Sequence, residues 1–425
     1  MRAYRKSYSV FLLGFFLAIP CFISAQDLLL NESIEKNRKG EITILAKKGD
    51  NIKVEQLRHE FWFGAAIPNN FDGSMPANDL KQFRQKFLEL FNYAVTENAL
   101  KWQSMERNKG EVRYATVDSI LAWCEKNNIP LRGHNIYWGK KQYVQPWVME
   151  LSDDELRQAL QERGESITRH YKGRFAEYDL NNEMLDENYY EERLGPGITK
   201  QLAQWALNGD PDAKLILNEH DVFVPLDGPL GNKLANYMTL IRTLLKQGVP
   251  ISGIAIQGHS HLYTFDRQAL KTGLDSLAKF NIPIRITEFN MPGRGYPSIL
   301  DKEPIRVAPE QEEARAKEIV DWYRICFAHP AVEGIIMWGF WEGANWIPAS
   351  SLYKRDWTPT PAADAYKNLV FKEWWTNTSG VAGKNGKYST RAFYGKYRIT
   401  VNGVSRVIDL EKSKGNVIAD FRKNK

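Results

Sequence analysis

The chain has 425 residues, 43% of them hydrophobic and 25% charged, which excludes a disordered chain and a polytopic membrane protein. Its length suits one large domain with a small one, or two to three modest ones. The formal charge of +6, from 57 basic and 51 acidic residues, falls to +3 without Arg2, Arg5 and Lys6, so the balance gives no call for nucleic acid.

Residues 1–25 read as a secretory signal. Arg2, Arg5 and Lys6 make a positive start, Val10 to Ile19 is apolar, and Ser24-Ala25 precedes an expected cut at Gln26. The run is short for a membrane span and is broken at Pro20-Cys21, and bulky Ile19-Pro20 argues against a lipoprotein cut at Cys21. The mature chain is therefore expected to be secreted, extracellular or periplasmic, without a membrane span, and monomeric. It keeps Cys124 and Cys326, both in helical patterns, which read as buried thiols and lack metal-ligand spacing.

Residues 26–60 form a β-rich stretch in which EITILA and NIKVEQ flank Lys47-Lys48-Gly49-Asp50, the pattern of a hairpin. From Phe61 apolar runs alternate with amphipathic segments. The runs are FWFGAA, YAVTEN, LRGHNIYW, YDLNNE, LILNEH, IAIQGH, IRITEFN and IIMWGF. Between them lie helical patterns such as LKQFRQKFLELF, VDSILAWCEKN, DELRQALQERGESITRHY, LANYMTLIRTLLKQG, DSLAKFN and EEARAKEIVDWYRICF. This alternation predicts a (β/α)8 barrel over 61–375. A doubly wound sheet would want a Gly-rich phosphate loop after its first strand, and FWFGAAIPNN has none. A phosphosugar-handling barrel would want a phosphate turn after strand seven or eight, and Gly293–Gly295 falls short of one. Residues 376–425 read as a small β-module, with Asn402-Gly403 marking a tight hairpin.

Each barrel run closes on polar or aromatic residues, and packing gives no reason for polar groups at so many corresponding ends. YAVTEN ends in Glu97-Asn98, followed by Lys101 and Trp102; LRGHNIYW carries His134 and Trp138; YDLNNE ends in Asn182-Glu183. LILNEH ends in Asn218-Glu219 and His220, where Glu219 taken alone reads as a helix cap. IAIQGH holds Gln257 and His259, IRITEFN holds Glu288, and IIMWGF holds Trp338, with Trp346 in the next loop. In a parallel barrel these ends meet at one rim, where such folds place their chemistry.

Glu183 and Glu288 follow strands four and seven, which face each other across a barrel mouth. Two carboxylates across a cleft are the minimum machinery for cleaving a glycosidic bond, one protonated and one ionised. The plainer alternative pairs them with arginines such as Arg132 or Arg285.

At these residues the sequence resembles glycoside hydrolase family 10, the retaining endo-β-1,4-xylanases, from about Phe61 to Trp375. TENALKW, GHNIYW, DLNNE, GIAIQGHSH, RITEFN, MWGFWEGANW and TPTPAADAY carry the resemblance. It implies Glu183 as acid and then base, and Glu288 as the nucleophile that forms a glycosyl-enzyme. It implies Glu97, Asn98, Lys101, His134, Trp138, Asn182, Gln257, His259, Trp338 and Trp346 as sugar-binding residues, and xylan or a related β-1,4-glycan as the substrate. No metal or organic cofactor is called for, since carboxylates supply the proton and nucleophile roles. The outer segments look like the β-rich flanks of some plant-type members. Three positions depart from the pattern: Gly139 stands where a histidine is usual, Asn290 where an acid is usual, and the acid of the final block is Glu342.

The chain holds 13 Trp, 19 Tyr and 20 Phe, a number that suits sugar binding, although a large core accounts for most of them. Trp102, Trp123, Trp147, Trp205 and Trp322 fall in helical patterns and read as core. Trp138, Trp338 and Trp346 read as cleft walls.

Overall fold

The computed structural model describes residues 25–223, 232–260, 265–292 and 308–422. Nearly all of the expected signal segment, and Gly293–Gly295, lie outside the described residues. Among the described residues no helix is long and apolar enough to cross a membrane.

The strands in chain order are β1 (Lys39–Leu45), β2 (Asn51–His59), β3 (Trp62–Ile67), β4 (Tyr93–Thr96), β5 (Leu131–Gly133), β6 (Tyr137–Trp138), β7 (Glu177–Asn182), β8 (Leu215–Glu219), β9 (Gly253–Ile256), β10 (Ile284–Phe289) and β11 (Val332–Met337). They are followed by β12 (Asn377–Val381), β13 (Lys387–Phe393), β14 (Gly395–Val401), β15 (Val404–Leu410) and β16 (Asn416–Asp420). Strands β3 to β11 form one parallel sheet that closes on itself through the β5–β7 pairing, with β5 and β6 together serving as the third of eight barrel staves. The eight apolar runs are these eight staves. They are apolar on both faces because one face fills the barrel and the other packs on helices; every residue of β8, β9 and β10 is buried.

The helices begin where local chemistry permits. Ser152 and Glu155 form a reciprocal capping box at the start of Asp153–His170. The Asp266 carboxylate accepts from the amides of Gln268 and Ala269 to open Arg267–Leu277. Cys124 and Cys326 are buried free thiols.

The flanking segments differ from the expectation in two ways. First, residues Ala25–Arg38 form a helix ahead of the β-rich stretch, its Leu30 and Ile34 packed on the barrel core. Second, β1 and β2 do not pair with each other. Lys47 and Asp50 do make the expected turn, the Asp50 amide donating to the Lys47 carbonyl over 3.1 Å. That turn carries the chain from one sheet (β13-β1-β16) into another (β12-β2-β14-β15). The alternating apolar residues Ile42, Ile44, Ile52 and Val54 meet face to face, with Tyr397, Ile399 and Leu410, in a core shared by both sheets. Asn402 and Gly403 turn β14 into β15 with φ of 45° and 87°, the positive pair a tight hairpin needs.

This β-sandwich packs under the barrel. The Arg38 guanidinium donates to the carbonyls of Phe327, His329 and Val332, and His59 Nε2 lies 3.2 Å from the Val370 carbonyl. Arg58 donates to the Asn92 carbonyl, just before β4. These contacts gather at the N-terminal ends of the barrel strands, opposite the rim that carries Glu183 and Glu288.

Beneath that rim the barrel holds a buried charge cluster. Arg132 is fully buried; its guanidinium bonds the carboxylates of Glu177 and Asp179, and these hold it protonated against the cost of burial. Arg285 lies with Glu333 and Glu177. The two arginines thus serve structural acids, and neither shows an ion pair with Glu183 or Glu288 among the described residues. Replacing Arg132 by methionine leaves two buried carboxylates with one cation fewer, Glu177 keeping Arg285 and Asp179 keeping His134, and the expected loss is about 3 kcal/mol of stability. A shift of the denaturant midpoint equivalent to less than about 1 kcal/mol would show that the cluster is neutral to folding.

Candidate active site

The C-terminal ends of the staves enclose a cleft of about 350 Å³ lined by Glu97, Asn98, Lys101, His134, Trp138, Glu183, Gln257, His259, Glu288, Trp338 and Trp346, together with Lys140, Tyr143, His220 and Asp221. Eleven of the twelve residues singled out from the sequence line it; Asn182 does not, and lies buried directly behind.

Glu288 stands one residue before the end of β10, at 4% exposure. Its Oε1 accepts from Asn218 Nδ2 over 2.8 Å, and its Oε2 lies 3.2 Å from His259 Nε2. Burial alone would raise its pKa. The nearby His134, the His259 contact and Lys101 outweigh burial and lower it to about 2, so Glu288 is ionised.

Glu183 follows β7 at 9% exposure, with a left-handed backbone (φ 56°) that is uncommon for a residue bearing a Cβ. Such backbones concentrate at functional sites. Its amide donates to the Asn218 carbonyl over 3.1 Å, its Oε1 accepts from Gln257 Nε2 over 2.8 Å, and Lys140 Nζ stands 3.6 Å from its Oε2.

Two neutral amides join the carboxylates. Asn218 Nδ2 donates both to Glu288 and to Asn182 Oδ1 (2.9 Å), while its Oδ1 accepts from Thr287 Oγ1 (2.7 Å). Gln257 holds Glu183 by its side chain and accepts from the Glu288 amide with its carbonyl (2.7 Å). Gly258 is needed between Gln257 and His259: its φ is 83°, and a Cβ there would stand 2.7 Å from Ile286 Cγ2.

Asn182 Nδ2 and Trp138 Nε1 are buried donors without a partner among the described residues. Buried polar groups are normally satisfied, so these two donors suit hydroxyl oxygens of a ligand. His134 Nδ1 lies 2.7 Å from Asp179 Oδ2, and its ring meets Trp338 edge to face. Lys101 Nζ donates to Asn98 Oδ1 and lies 4.6 Å from the centre of the Trp138 ring. Burial raises Glu97 to about 7 despite Lys101.

The departures from the family pattern have local reasons. Asn290 Oδ1 accepts from Trp346 Nε1 (3.0 Å) and faces His259 Nδ1 (2.9 Å), while its Nδ2 donates to Ser350 Oγ (2.7 Å). The indole is a donor only, which fixes the amide orientation and requires the proton on His259 Nδ1. An aspartate could not make the bond to Ser350 as donor. At Gly139 a Cβ would lie 3.0 Å from Asn188 Oδ1 and 3.2 Å from the Tyr189 amide, so a histidine would push the 188–190 turn away. Glu342 lies outside the cleft lining, its Oε2 accepting from the Arg355 amide.

Glu219 is not a helix cap. It straps the turn after β7 to the end of β8, accepting from the amides of Leu185 and His220, and burial raises it to about 7. His220 sits between Asp186 (2.5 Å) and Asp221 (2.7 Å); their hydrogen bonds overcome burial and raise it to about 10. Asp186, Glu219 and His220 bring ligand-type atoms within 4.8 Å of one another. Lys233 Nζ reaches all three, at 2.5 Å from Asp186, 3.6 Å from Glu219 and 3.3 Å from His220, so an ammonium already supplies the positive charge there.

Residues 54–369 match glycosyl hydrolase family 10. The chain is 32% identical over 405 residues to anti-sigma-I factor RsgI6 of Acetivibrio thermocellus, covering 92% of this chain and 49% of that protein. It is 31% identical over 353 residues to endo-1,4-beta-xylanase 1 of Arabidopsis thaliana, covering 83% of this chain and 34% of that one. It thus spans about a third to a half of the length of these relatives. Among solved structures, xylanase 10B from Thermotoga petrophila in complex with xylobiose superposes with a TM-score of 0.63 at 23% identity, over 74% of this chain and 95% of that one, a likeness of fold.

Proposed function

The chain belongs to glycosyl hydrolase family 10, and from that premise we propose that it is an exported endo-1,4-β-xylanase that cleaves internal linkages of xylan with retention of configuration. The observation that carries the reading is the placement of Glu183 and Glu288, from staves four and seven, on one cleft with Asn218 and Gln257 tying them together. The xylanase names of the Arabidopsis relatives and the xylobiose bound by the Thermotoga petrophila structure support xylan as the glycan.

In this reading Glu183 protonates the bridging oxygen as the C–O bond to the leaving sugar breaks, and ionised Glu288 forms an ester at the anomeric carbon. Water then attacks that carbon, gives a proton to Glu183 and releases Glu288, so the carboxyls return to their starting states. Release of reducing sugar from xylan, set beside mixed-linkage and cellulosic β-glucans, tests the substrate. Proton NMR of the first product tests retention, and N-terminal sequencing of secreted protein for a start at Gln26 tests export. No release from any of these glycans, with a folded protein, would overturn the reading in favour of a non-catalytic glycan-binding barrel.

Asn182 gives a finer check. Its unpartnered Nδ2 is suited to the hydroxyl next to the reacting carbon, where a hydrogen bond strengthens as charge develops. Asn182→Ala is expected to lower kcat by about tenfold to a hundredfold while KM stays within about threefold. A change confined to KM would place the amide in ground-state binding instead.

A further inference from the structure

Most aromatic rings of this chain are core, so an exposed one asks for a reason. Among the large apolar side chains that stand exposed in the described residues only two are aromatic, Tyr143 at 38% and Trp346 at 42%, and both line the cleft. Trp346 is tied to the site by its bond to Asn290. Tyr143 falls in no motif block. It lies on the turn Lys141–Tyr143 beyond β6, and its ring stacks on Trp138 with centres 3.9 Å apart and planes at 23°. Trp138 in turn lies under Lys101 Nζ. The turn is pinned by the Lys141 amide donating to Glu187 Oε2 (3.0 Å) and by the Lys141–Glu192 ion pair (2.7 Å). The bare backbone of Gly139 lets this loop close on residues 188–190, and the Tyr189 amide donates to the Gly139 carbonyl. A flat ring fixed at both its base and its loop, with more than a third of its surface open on a polar cleft, is a preformed surface for the C–H face of a pyranose. It costs little side-chain freedom on binding.

We propose that Tyr143 is a sugar-stacking platform that extends the cleft past Trp138, so that the protein recognises a run of β-1,4-linked pyranoses longer than the pair that flanks the cleaved bond. The proposal rests on the glycan-cleaving reading above and adds a residue outside the family motifs that sets the preferred chain length.

The test follows the series from xylobiose to xylohexaose. With wild type, kcat/KM rises stepwise with length. Tyr143→Ala is expected to lose one such step, raising KM on xylohexaose about tenfold and leaving kcat and the xylobiose values near wild type, while Tyr143→Phe and Tyr143→Trp keep the step. Calorimetric titration of xylohexaose into Glu288→Ala protein, with and without Tyr143→Ala, reads the same contact without turnover and should show about a tenfold weaker Kd. Equal losses on short and long substrates would reduce Tyr143 to a prop for Trp138 and overturn the proposal, as would no loss at any length. If wild type hydrolyses nothing but Tyr143→Ala still weakens xylohexaose binding, the platform stands and the hydrolase reading falls.

Discussion

On the proposed double displacement, Glu288→Ala should lower kcat/KM on xylan by roughly 10⁵-fold, because the variant has lost the group assigned the bond to the anomeric carbon. The electrostatics suit this residue to the nucleophile's role in the proposed double displacement. Burial works against its charge, yet His134, His259 and Lys101 hold it ionised down to about pH 2. A carboxylate so stabilised is a poor proton donor at any working pH and a permanently available nucleophile. Shortening it to alanine also opens space on the attacking face. Added azide should enter there, attack the same carbon and return activity on an activated aryl glycoside, giving a product of inverted configuration. Residual activity above about 1% without azide, or rescue with retained configuration, would remove Glu288 from this role. The same charge has a stability signature. A pKa lowered on folding contributes stability that is full above the ordinary carboxylate value of 4.5 and is lost as pH falls through about 2. Wild type should therefore lose stability across that window more steeply than Glu288→Gln, measured by denaturant titration at each pH.

The staves were legible because a strand buried on both faces must be apolar except where it emerges, so each polar ending marks the rim. Glu97, Asn182, Glu183, Asn218, Gln257 and Glu288 were visible in that way. What joins them was not. Asn218 bridges Glu288 and Asn182 only because β8 lies between β7 and β9 with Asn182 opposite Asn218, a register that no local pattern encodes. Alternation in β1 and β2 announced strands but not partners; the same pattern serves a hairpin or, as here, two stacked sheets sharing Ile44 and Val54 in one core. Glu219 differs from the helix-cap expectation for a related reason. A carboxylate at a strand end suits a helix cap by sequence, whereas the turn after β7 brings the Leu185 amide to it from 34 residues away. Lys140 and Tyr143 follow Gly139, where the chain leaves the family pattern, so the resemblance gave no guidance there. Their place in the cleft comes from how that loop packs on residues 188–190.

Glu183→Ala should separate the two halves of the reaction. As acid, Glu183 matters in proportion to how much help the leaving group needs, and positioned general acids contribute about 10²–10⁴-fold. On xylan, whose leaving group is a poorly acidic alcohol, the variant should lose activity at the upper end of that range. On an aryl glycoside with an acidic phenol the first step needs no proton, so the phenolate should still leave quickly. The second step has lost its base, so the ester on Glu288 should accumulate, visible as a burst of phenolate stoichiometric with protein and as a mass increment on the Glu288 peptide. Azide should then relieve the slow step from the side that Glu183 vacates, giving a glycosyl azide of retained configuration, opposite to the product expected from Glu288→Ala. The geometry supports this division. Glu183 is held through one oxygen by Gln257, a neutral donor able to serve the carboxyl in either protonation state, while its other oxygen faces the cleft cation Lys140. An equal loss on good and poor leaving groups, without a burst, would mean that Glu183 shapes the cleft but moves no proton, and the double displacement would lose its acid and its base together.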